Sequence, residues 1–352
     1  MDVLVLDTNF VAVGILDTYE SLLWVDRYDR CGDFEIYTPY NRDFQNLIQP
    51  NYYLRISNSE HVMIVETLEI RSDAETGDYL TVTGRSLESI LDRRVVWTQT
   101  TLSGNLQNAI KKLLNDAIIA SSADRVIDNF LFQTSEENAI TGLKLARAQY
   151  TGDNLYEVIS ELCRSSQIGF RIILNDDNQF VFSLYAGSDR SYRQEVNPYV
   201  VFSPEFENLT NSSYKIDFSS CKNVALIAGE GAGSSRKRTS IGIGKGLDRR
   251  EVFVDARDIS STISGGTLDA ASYTNLLKQR GYEKMTEYVI DEKFEGAADT
   301  SETYLYKEDF FLGDVVQVED RYGNGAEARI SEMIFSQDEN GYSVYPTFEI
   351  LH

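Results

Sequence analysis

The sequence predicts an α+β protein that is mainly β, in which two similar β units flank an inserted mixed α+β region. Apolar and polar residues alternate along segments near both ends of the chain, which is typical of half-buried strands. Between residues 106 and 118 apolar residues instead recur every three to four positions, which indicates an amphipathic helix. Both ends also show one order of elements: a hairpin, a helix, and two strands that close on an acidic turn.

The likeness between the two ends is clearest in their closing hairpins. One alignment preserves the alternation of both hairpins, matching Ile64 with Ile330, Glu66 with Glu332 and Leu68 with Ile334. The same scheme matches a hairpin within residues 21–39 with one within 223–256, and a short helix after residue 41 with a long one at 269–288. A building block that occurs twice in one chain suits a ring or tube component better than an enzyme.

Residues 1–100 form the first predicted β domain. Alternation along Leu22–Tyr28 and Val62–Ile70 places one side of each strand in a core. Asn41 is a candidate N-cap for a short helix, and Ser86 is a candidate N-cap for another, because their side chains can accept backbone hydrogen bonds.

Residues 101–204 form the predicted inserted α+β domain. Its elements are the amphipathic helix at 106–118, a second helix at 155–162 and a hairpin that turns around residues 175–179.

The second predicted β domain is discontinuous and combines residues 205–260 with 300–352. A helical insertion at 261–299 interrupts it, and Asp269 is the candidate N-cap of the long helix there. Residues 229–246 are rich in Gly, Ser and basic residues, which predicts a long mobile loop between two strands.

The chain is strongly acidic, with 55 Asp and Glu against 33 Lys and Arg and a formal net charge of −22. Stable binding of DNA or RNA needs basic residues that neutralise phosphates, so this charge argues against it. An acidic surface keeps a protein soluble, or lets DNA slide past without sticking. No apolar run approaches the length of a membrane span. The acidic first 20 residues predict no secretion signal.

Residues suited to catalysis or metal binding are scarce. Of the two histidines, His352 is the last residue, and His61 falls in a turn where an exposed polar residue is expected rather than a catalytic base. Zinc sites need clustered Cys and His, whereas Cys31, Cys163 and Cys221 lie far apart and are expected to be reduced and packed. We therefore expect no catalytic residue, no metal and no cofactor. Glycoside cleavage needs two carboxylates close together. With 55 acidic residues some carboxylates must lie close to one another by chance, so their presence neither supports nor excludes this activity.

One concentrated basic run, Arg236-Lys237-Arg238, interrupts the acidic chain. Its Gly-rich surroundings lack the spacing of phosphate-binding motifs. The run is also too small for a nucleic-acid site and lacks interleaved aromatic residues. We interpret Arg236, Lys237 and Arg238 as a possible assembly loop that docks onto an acidic neighbour, such as another copy of this chain.

Three stretches together resemble the baseplate or tail-tip hub proteins of long-tailed bacteriophages, and especially of siphophages and prophages of Gram-positive bacteria. They are GRSLESILDRRVV (84–96), YTGDNLYEVISELCRSSQIGFRI (150–172) and FLGDVVQVEDRYGNGAEARISEMIF (311–335). Each motif alone is weak, but their order extends over essentially the whole chain.

The resemblance implies a homotrimeric structural hub in the virion, assembled in the host cytoplasm. Each chain would contribute two similar tube-like β-barrel domains, so that three chains form a pseudo-sixfold ring that continues the tail tube and lets DNA pass. Implied partners are a hexameric distal tail or tail-tube protein, a tape-measure protein, and tail fibre or tip proteins. DNA would be a partner only in transit, and no stable membrane binding is implied. Relatives often extend into lysins or receptor-binding modules, which we expect to be separate proteins here.

Two alternatives from other classes stay open. A virion-associated peptidoglycan hydrolase would rely on two carboxylates, and a carbohydrate-binding adhesin would use exposed aromatic residues such as Tyr52 and Tyr53.

Overall fold

The structure of the chain is a computed structural model that describes residues 1–75, 77–263, 266–298, 303–322 and 325–351. In these residues the strands are, in chain order, β1 (Val3–Leu6), β2 (Ala12–Leu16), β3 (Ser21–Arg27), β4 (Asp33–Pro39), β5 (Tyr53–Ile56), β6 (Met63–Asp73), β7 (Gly77–Ser86), β8 (Thr100–Asn105), β9 (Phe130–Gln133), β10 (Lys144–Tyr150), β11 (Gly169–Leu174), β12 (Phe180–Tyr185), β13 (Val201–Phe202), β14 (Leu209–Asp217), β15 (Val224–Ala228), β16 (Arg238–Gly242), β17 (Glu251–Asp255), β18 (Thr262–Ile263), β19 (Gly266–Thr267), β20 (Asp291–Ala298), β21 (Val315–Glu319), β22 (Gly325–Asp338) and β23 (Gly341–Ile350). The α-helices are α1 (Arg42–Leu47), α2 (Leu106–Leu114), α3 (Asn138–Thr141), α4 (Leu155–Ser165) and α5 (Ala270–Met285). Strand content of 42% against 21% helix confirms the predicted mainly β, α+β class.

A sheet of 13 strands dominates the first of two compact units, which comprises Met1–Ser89, Gly169–Tyr214 and Lys293–His352. Its main path has the order β14-β20-β23-β22-β3-β4-β7-β6-β5-β1-β2, and β21 pairs with both β22 and β13 beside that path. The path ends at β14 and β2, and among the described residues it does not close on itself.

The hydrophobic core of this unit draws on both ends of the chain. Trp24 and Phe34 from the N-terminal strands are buried in one cluster with Phe335 and Phe348 from the C-terminal strands. Because β22 pairs directly with β3, these side chains are brought to the same side of one sheet. The two ends of the chain therefore share a single core.

The pairing scheme of the large sheet occurs twice. The N-terminal strands follow the order β3-β4-β7-β6-β5-β1, and the later strands follow β14-β20-β23-β22-β21-β13. Each strand of the first series corresponds to the strand at the same place of the second, and the order along the chain also agrees. One orientation differs, since β1 pairs with β5 antiparallel whereas β13 pairs with β21 parallel.

A β-bulge at the same place in each closing hairpin sets the residue correspondence. The register shifts between Val65 and Thr67 in β6, and between Ile330 and Glu332 in β22. The bulges match Val65 with Ile330, so the predicted alignment of Ile64 with Ile330 is wrong by one residue. A bulge adds one residue to a strand, and alternation alone does not reveal it.

The opening half of the predicted repeat is also wrong. Residues 223–256 do not form a hairpin in the large sheet, because β15 and β17 pair in parallel within a separate three-stranded sheet, β16-β15-β17. The strands that correspond to β3 and β4 are instead β14 and β20, separated by 73 residues that form other structure.

The second compact unit comprises Ile90–Ile168 and Lys215–Glu292. These boundaries differ from the four predicted ranges, and the predicted insertion at 101–204 is divided between the two units. Residues 238–242, placed in the predicted mobile loop, form strand β16 against β15. Glycine enrichment reflects tight turns at both ends of that strand, because Gly242 has a φ of +89° and its missing side chain leaves room for the carbonyl oxygen of Asn223.

Most of the predicted helices are present. The Asn41 side chain accepts a hydrogen bond from the backbone of Asp43 and caps α1, and Asp269 caps α5 through Ala271 and Ser272. The Ser86 hydroxyl accepts a hydrogen bond from the backbone of Gly32, and the segment that follows, Leu87–Arg93, is a 3-10 helix. No helix within the described ranges has the length and apolar character that crossing a membrane requires.

A substitution at Gly84 tests how tightly the N-terminal series of strands is packed. A Cβ at this position would lie 1.8 Å from the carbonyl oxygen of Ile64 and 2.9 Å from the ring of Phe34. Gly84→Ala is therefore expected to lower the free energy of unfolding by about 1–3 kcal/mol, because overpacking forces the strands apart. Urea unfolding followed by circular dichroism measures the change. Gly142→Ala is the matched control, since its Cβ would meet only the Asn138 carbonyl oxygen at 3.1 Å. Equal stability of Gly84→Ala and wild type would contradict this packing.

Candidate assembly surface

The side of the large sheet opposite the core carries mostly polar side chains and is called the open face below. Cross-strand partners follow one another across six strands, in the order Ser343, Ser336, Leu23, Glu35, Thr83 and Thr67. A second row contains Tyr37, Thr81 and Glu69. All of these side chains are exposed or half-buried. Short hydroxyl and carboxylate side chains therefore dominate a continuous surface.

Three arginines of the open face are paired with carboxylates. The guanidinium of Arg71 lies 3.0 Å from Glu69, and that of Arg85 lies 2.9 Å from Glu66. Arg27 contacts two carboxylates, Asp33 at 2.6 Å and Glu332 at 2.7 Å. Ion pairing of this kind leaves little positive charge for a phosphate backbone, which binds proteins through unpaired Lys and Arg.

The two closing hairpins differ in what lies beside their first strand. In β22, residues Glu332–Gln337 pair with β3, and Met333 and Phe335 are 0% and 1% exposed. Beside β6, by contrast, the pairing with β5 covers Met63 and Ile64 alone among the described residues. The residues that follow the bulge in β6 pair with β7 alone among the described strands.

Burial reflects this difference. The bulge correspondence matches Met333 with Leu68 and Phe335 with Ile70. Leu68 is only half-buried, and Ile70 is 45% exposed. An apolar residue at the position of a core residue is thus left uncovered, because no strand in the described ranges takes the place beside β6 that β3 takes beside β22.

The strand that corresponds to β3 in the second series, β14, is an edge strand of the described sheet. Among the described strands β14 pairs with β20 alone, at the end of the sheet path, and its residues Tyr214 and Ile216 are each 47% exposed. Exposed strand edges are ready to pair with another chain. The sheet therefore ends in a donor strand, β14, whose counterpart β3 pairs with the counterpart of β6.

The opposite end of the path is β2. Val11 and Ile15 are each 58% exposed, and Val13 is 41% exposed. Among the described strands β2 has no counterpart in the second series. The repeat therefore does not indicate what would pair with the outer edge of β2.

A buried charged cluster lies beneath β3. His61 is 5% exposed, which corrects the prediction of an exposed turn residue, and its Nδ1 lies 3.4 Å from a carboxylate oxygen of Glu88. Asp26 accepts hydrogen bonds from the Trp24 indole at 3.1 Å and from the Ser59 hydroxyl at 2.6 Å. This histidine contacts structural carboxylates, and no part of the arrangement resembles an exposed nucleophile and base.

The cluster holds its charges through mutual attraction. Burial alone would lower the pKa of His61, but the carboxylates of Asp26 and Glu88 outweigh it and raise that pKa to about 9. Burial raises the pKa of Asp26 above its usual value. Burial likewise works against ionised Glu88, but His61 and the backbone amide of Ile172 hold the pKa of Glu88 below its usual value.

The three predicted assembly residues, Arg236, Lys237 and Arg238, differ in their surroundings. The guanidinium of Arg236 donates to the carbonyl oxygens of Ala228 and Gly229 and pairs with Asp255. Lys237 and Arg238 are exposed. Arg238 also donates to the carbonyl oxygen of Gly233.

Metal-binding groups of three or more His, Cys, Asp or Glu are not found in the described part of the chain. His352 lies outside the described residues. The three cysteines form no disulfide, and Cys31 and Cys163 are buried as expected.

Known proteins that resemble this chain were found by sequence family and by fold. The family model described as Siphovirus ReqiPepy6 Gp37-like protein matches residues 2–348. A search of curated proteins finds no significant match.

Three solved structures share the fold over nearly the full length of each chain. A tail protein from Neisseria meningitidis MC58 has a TM-score of 0.58 at 13% identity, covering 99% of this chain and 95% of that one. The 43 kDa tail protein of prophage MuSo2 from Shewanella oneidensis has 0.56 at 12%, covering 99% and 98%. The prophage tail protein gp18 from Listeria monocytogenes EGD-e has 0.51 at 13%, covering 99% and 94%. The predicted resemblance to phage tail proteins is confirmed.

The buried cluster gives stability a defined pH dependence. Because the pKa of His61 is raised from 6.5 to about 9, its stabilising contribution is complete below pH 6.5 and is lost as pH rises through 9. The loss is on the order of 3 kcal/mol. Urea unfolding at pH values across this window should show the stability difference between wild type and His61→Gln shrink as pH rises. A difference independent of pH would contradict this role of His61.

Proposed function

Because the chain belongs to the Siphovirus ReqiPepy6 Gp37-like protein family, we propose that it is a structural hub at the tip of a phage tail. Three copies form a ring that continues the tail tube, and DNA passes through the ring. The observation that carries this proposal is the place beside β6 that no described strand occupies, together with the edge strand β14, whose counterpart β3 occupies the corresponding place beside β22.

The contact between copies repeats the contact inside one copy. Within the chain, β3 pairs with β22 and buries Phe335 opposite Trp24. In the ring, β14 of one copy takes the corresponding place beside β6 of the next, covering Leu68 and Ile70. Backbone hydrogen bonds supply affinity in such strand addition, and the covered side chains supply specificity.

This contact is head-to-tail, because the two surfaces that meet are different. Head-to-tail contacts produce a closed ring when the rotation between copies closes, and a filament when it does not. Three chains with two series of strands each present six similar units. Six units match a sixfold tube, which supports the trimer over other ring sizes.

The open face suits the passage of DNA. Its hydroxyl and carboxylate side chains, and the pairing of Arg27, Arg71 and Arg85 with acids, support a lining on which a polyanion does not bind. The net charge of −22 acts in the same direction at longer range.

The proposed work is mechanical and has no catalytic step. Burial of His61 against Asp26 and Glu88 supports this, since a histidine enclosed by structural carboxylates is unavailable to a substrate. The proposed partners are a hexameric distal tail or tail-tube protein, the tape-measure protein, and fibre or tip proteins. Assembly takes place in the host cytoplasm.

Charged substitutions at the two matching edges should abolish the ring. A lysine on a strand edge opposes pairing because its charge would have to be buried. Ile70→Lys and Tyr214→Lys are each expected to shift the wild-type trimer to a monomer in native mass spectrometry. Val13→Lys, on the exposed strand β2, is the control and should leave the trimer intact. A folded wild type that stays monomeric, or edge variants that still form trimers, would refute the ring.

Charge reversal on the open face should create DNA binding. The wild type is expected to show no binding of a short DNA duplex by fluorescence anisotropy at about 0.15 M salt. Glu35→Lys combined with Glu69→Lys should bind the duplex, with an affinity that falls steeply as salt rises. Glu308→Lys combined with Glu339→Lys makes the same change in charge at exposed positions elsewhere. Equal binding by both double variants would show that net charge, not the open face, decides.

A further inference from the structure

The three-stranded sheet of the second unit has one uncovered side. Helix α5 packs on one side, where Ala225, Ile227 and Ile241 are buried with it. On the other side Leu226 is 41% exposed and Phe253 is 55% exposed. The strand register places these two side chains next to each other. We call this side, with Leu226, Phe253, Ser240, Arg236 and Arg238, the basic face.

A fixed cation borders the apolar centre of the basic face. The guanidinium of Arg236 lies over the ring of Phe253, 5.5 Å from its centroid. Its position is set by the carbonyl oxygens of Ala228 at 2.6 Å and Gly229 at 2.9 Å, and by its ion pair with Asp255. Three anchors leave this side chain little freedom, so it loses little entropy when another surface docks on it.

The remaining basic residues extend the positive charge. Arg238 shares the face by its register with Ala228, and Lys245 is exposed in the connection after β16. That connection also carries Ile243 and Leu247, which are 86% and 101% exposed. The face and its border thus combine apolar area with basic charge, a combination typical of protein-docking surfaces.

The local charge is opposite to that of the whole chain. Residues 236–257 contain seven basic and three acidic residues, a net charge of +4. The rest of the chain therefore carries −26. The net negative charge makes two copies repel each other in most orientations. The segment 236–257 instead presents positive charge to a second copy. Charge complementarity favours the acidic surface of a second copy as the occupant.

We propose that the basic face docks an acidic surface of a second copy of this chain. Leu226 and Phe253 supply the apolar contact, the guanidinium of Arg236 lies over the Phe253 ring, and Arg238 pairs with a carboxylate of the second copy. This interface goes beyond the ring proposed above, because it uses neither β6 nor β14. It also revises the role of the predicted assembly loop: Arg236 acts from a fixed position on a sheet.

Photo-crosslinking of the full chain tests the proposal. One protein carries p-benzoylphenylalanine in place of Ser240, at the centre of the basic face, and a second carries it in place of Ile70, at the proposed ring edge. Mixing isotopically light and heavy copies identifies links between chains by mass spectrometry. The Ser240 probe is expected to link to an acidic segment of a second copy. The yield should fall severalfold between about 0.05 M and about 0.5 M NaCl, because salt screens the charges.

Surface variants add the necessary comparison. Arg238→Glu combined with Phe253→Ser should lower the yield from the Ser240 probe at least tenfold. Lys144→Glu combined with Val289→Ser, which also replaces one exposed base and one exposed apolar residue, should leave it unchanged. Loss with both double variants, or with neither, would overturn the proposal.

The two probes separate this interface from the ring. Links from Ser240 without links from Ile70 would contradict the ring and support the basic face. Links from Ile70 alone would do the reverse. Links from Ser240 only to its own chain, or only to another protein on co-expression, would overturn a second copy as the occupant. Binding of a DNA duplex that Arg238→Glu abolishes would instead identify the face as a polyanion site.

Discussion

The pairing of β22 with β3 is the interaction on which the rest of the large sheet depends. It joins strands about three hundred residues apart and places Phe335 opposite Trp24 in a shared core. Without it, each series of strands would expose the apolar side of its closing hairpin, as β6 still does at Ile70. The pairing of β3 with β22 therefore shows which contact would cover the corresponding residues of β6.

Charged residues are balanced differently in the buried cluster beneath β3 and on the open face of the sheet. Beneath β3, His61 compensates Asp26 and Glu88, so that burial does not force all three groups to neutral forms. On the open face, Arg27, Arg71 and Arg85 are each matched by a carboxylate. An excess of bases over acids is found instead in residues 236–257, which carry a net charge of +4. This segment has the opposite sign to the chain as a whole, whose net charge is −22.

Much of the local structure was predictable because its causes are local. Asn41 and Asp269 cap helices through their own side chains, and apolar periodicity marks α2 and α4. The buried position of His61 was not predictable, since its partners Asp26 and Glu88 lie 35 and 27 residues away. The strand β16 was hidden as well, because its Gly-rich flanks are typical of loops.

The sequence alone determined the mainly β class, the helices of the insertion, the acidic balance and the closing hairpins, because alternation, helical periodicity and charge are written residue by residue. Only the tertiary structure decided that β14 and β20, separated by 73 residues, are the counterparts of β3 and β4. It also decided the one-residue correction at the bulges. Strand pairing depends on backbone hydrogen bonds, which every residue type except proline can both donate and accept, and therefore leaves little trace in the sequence.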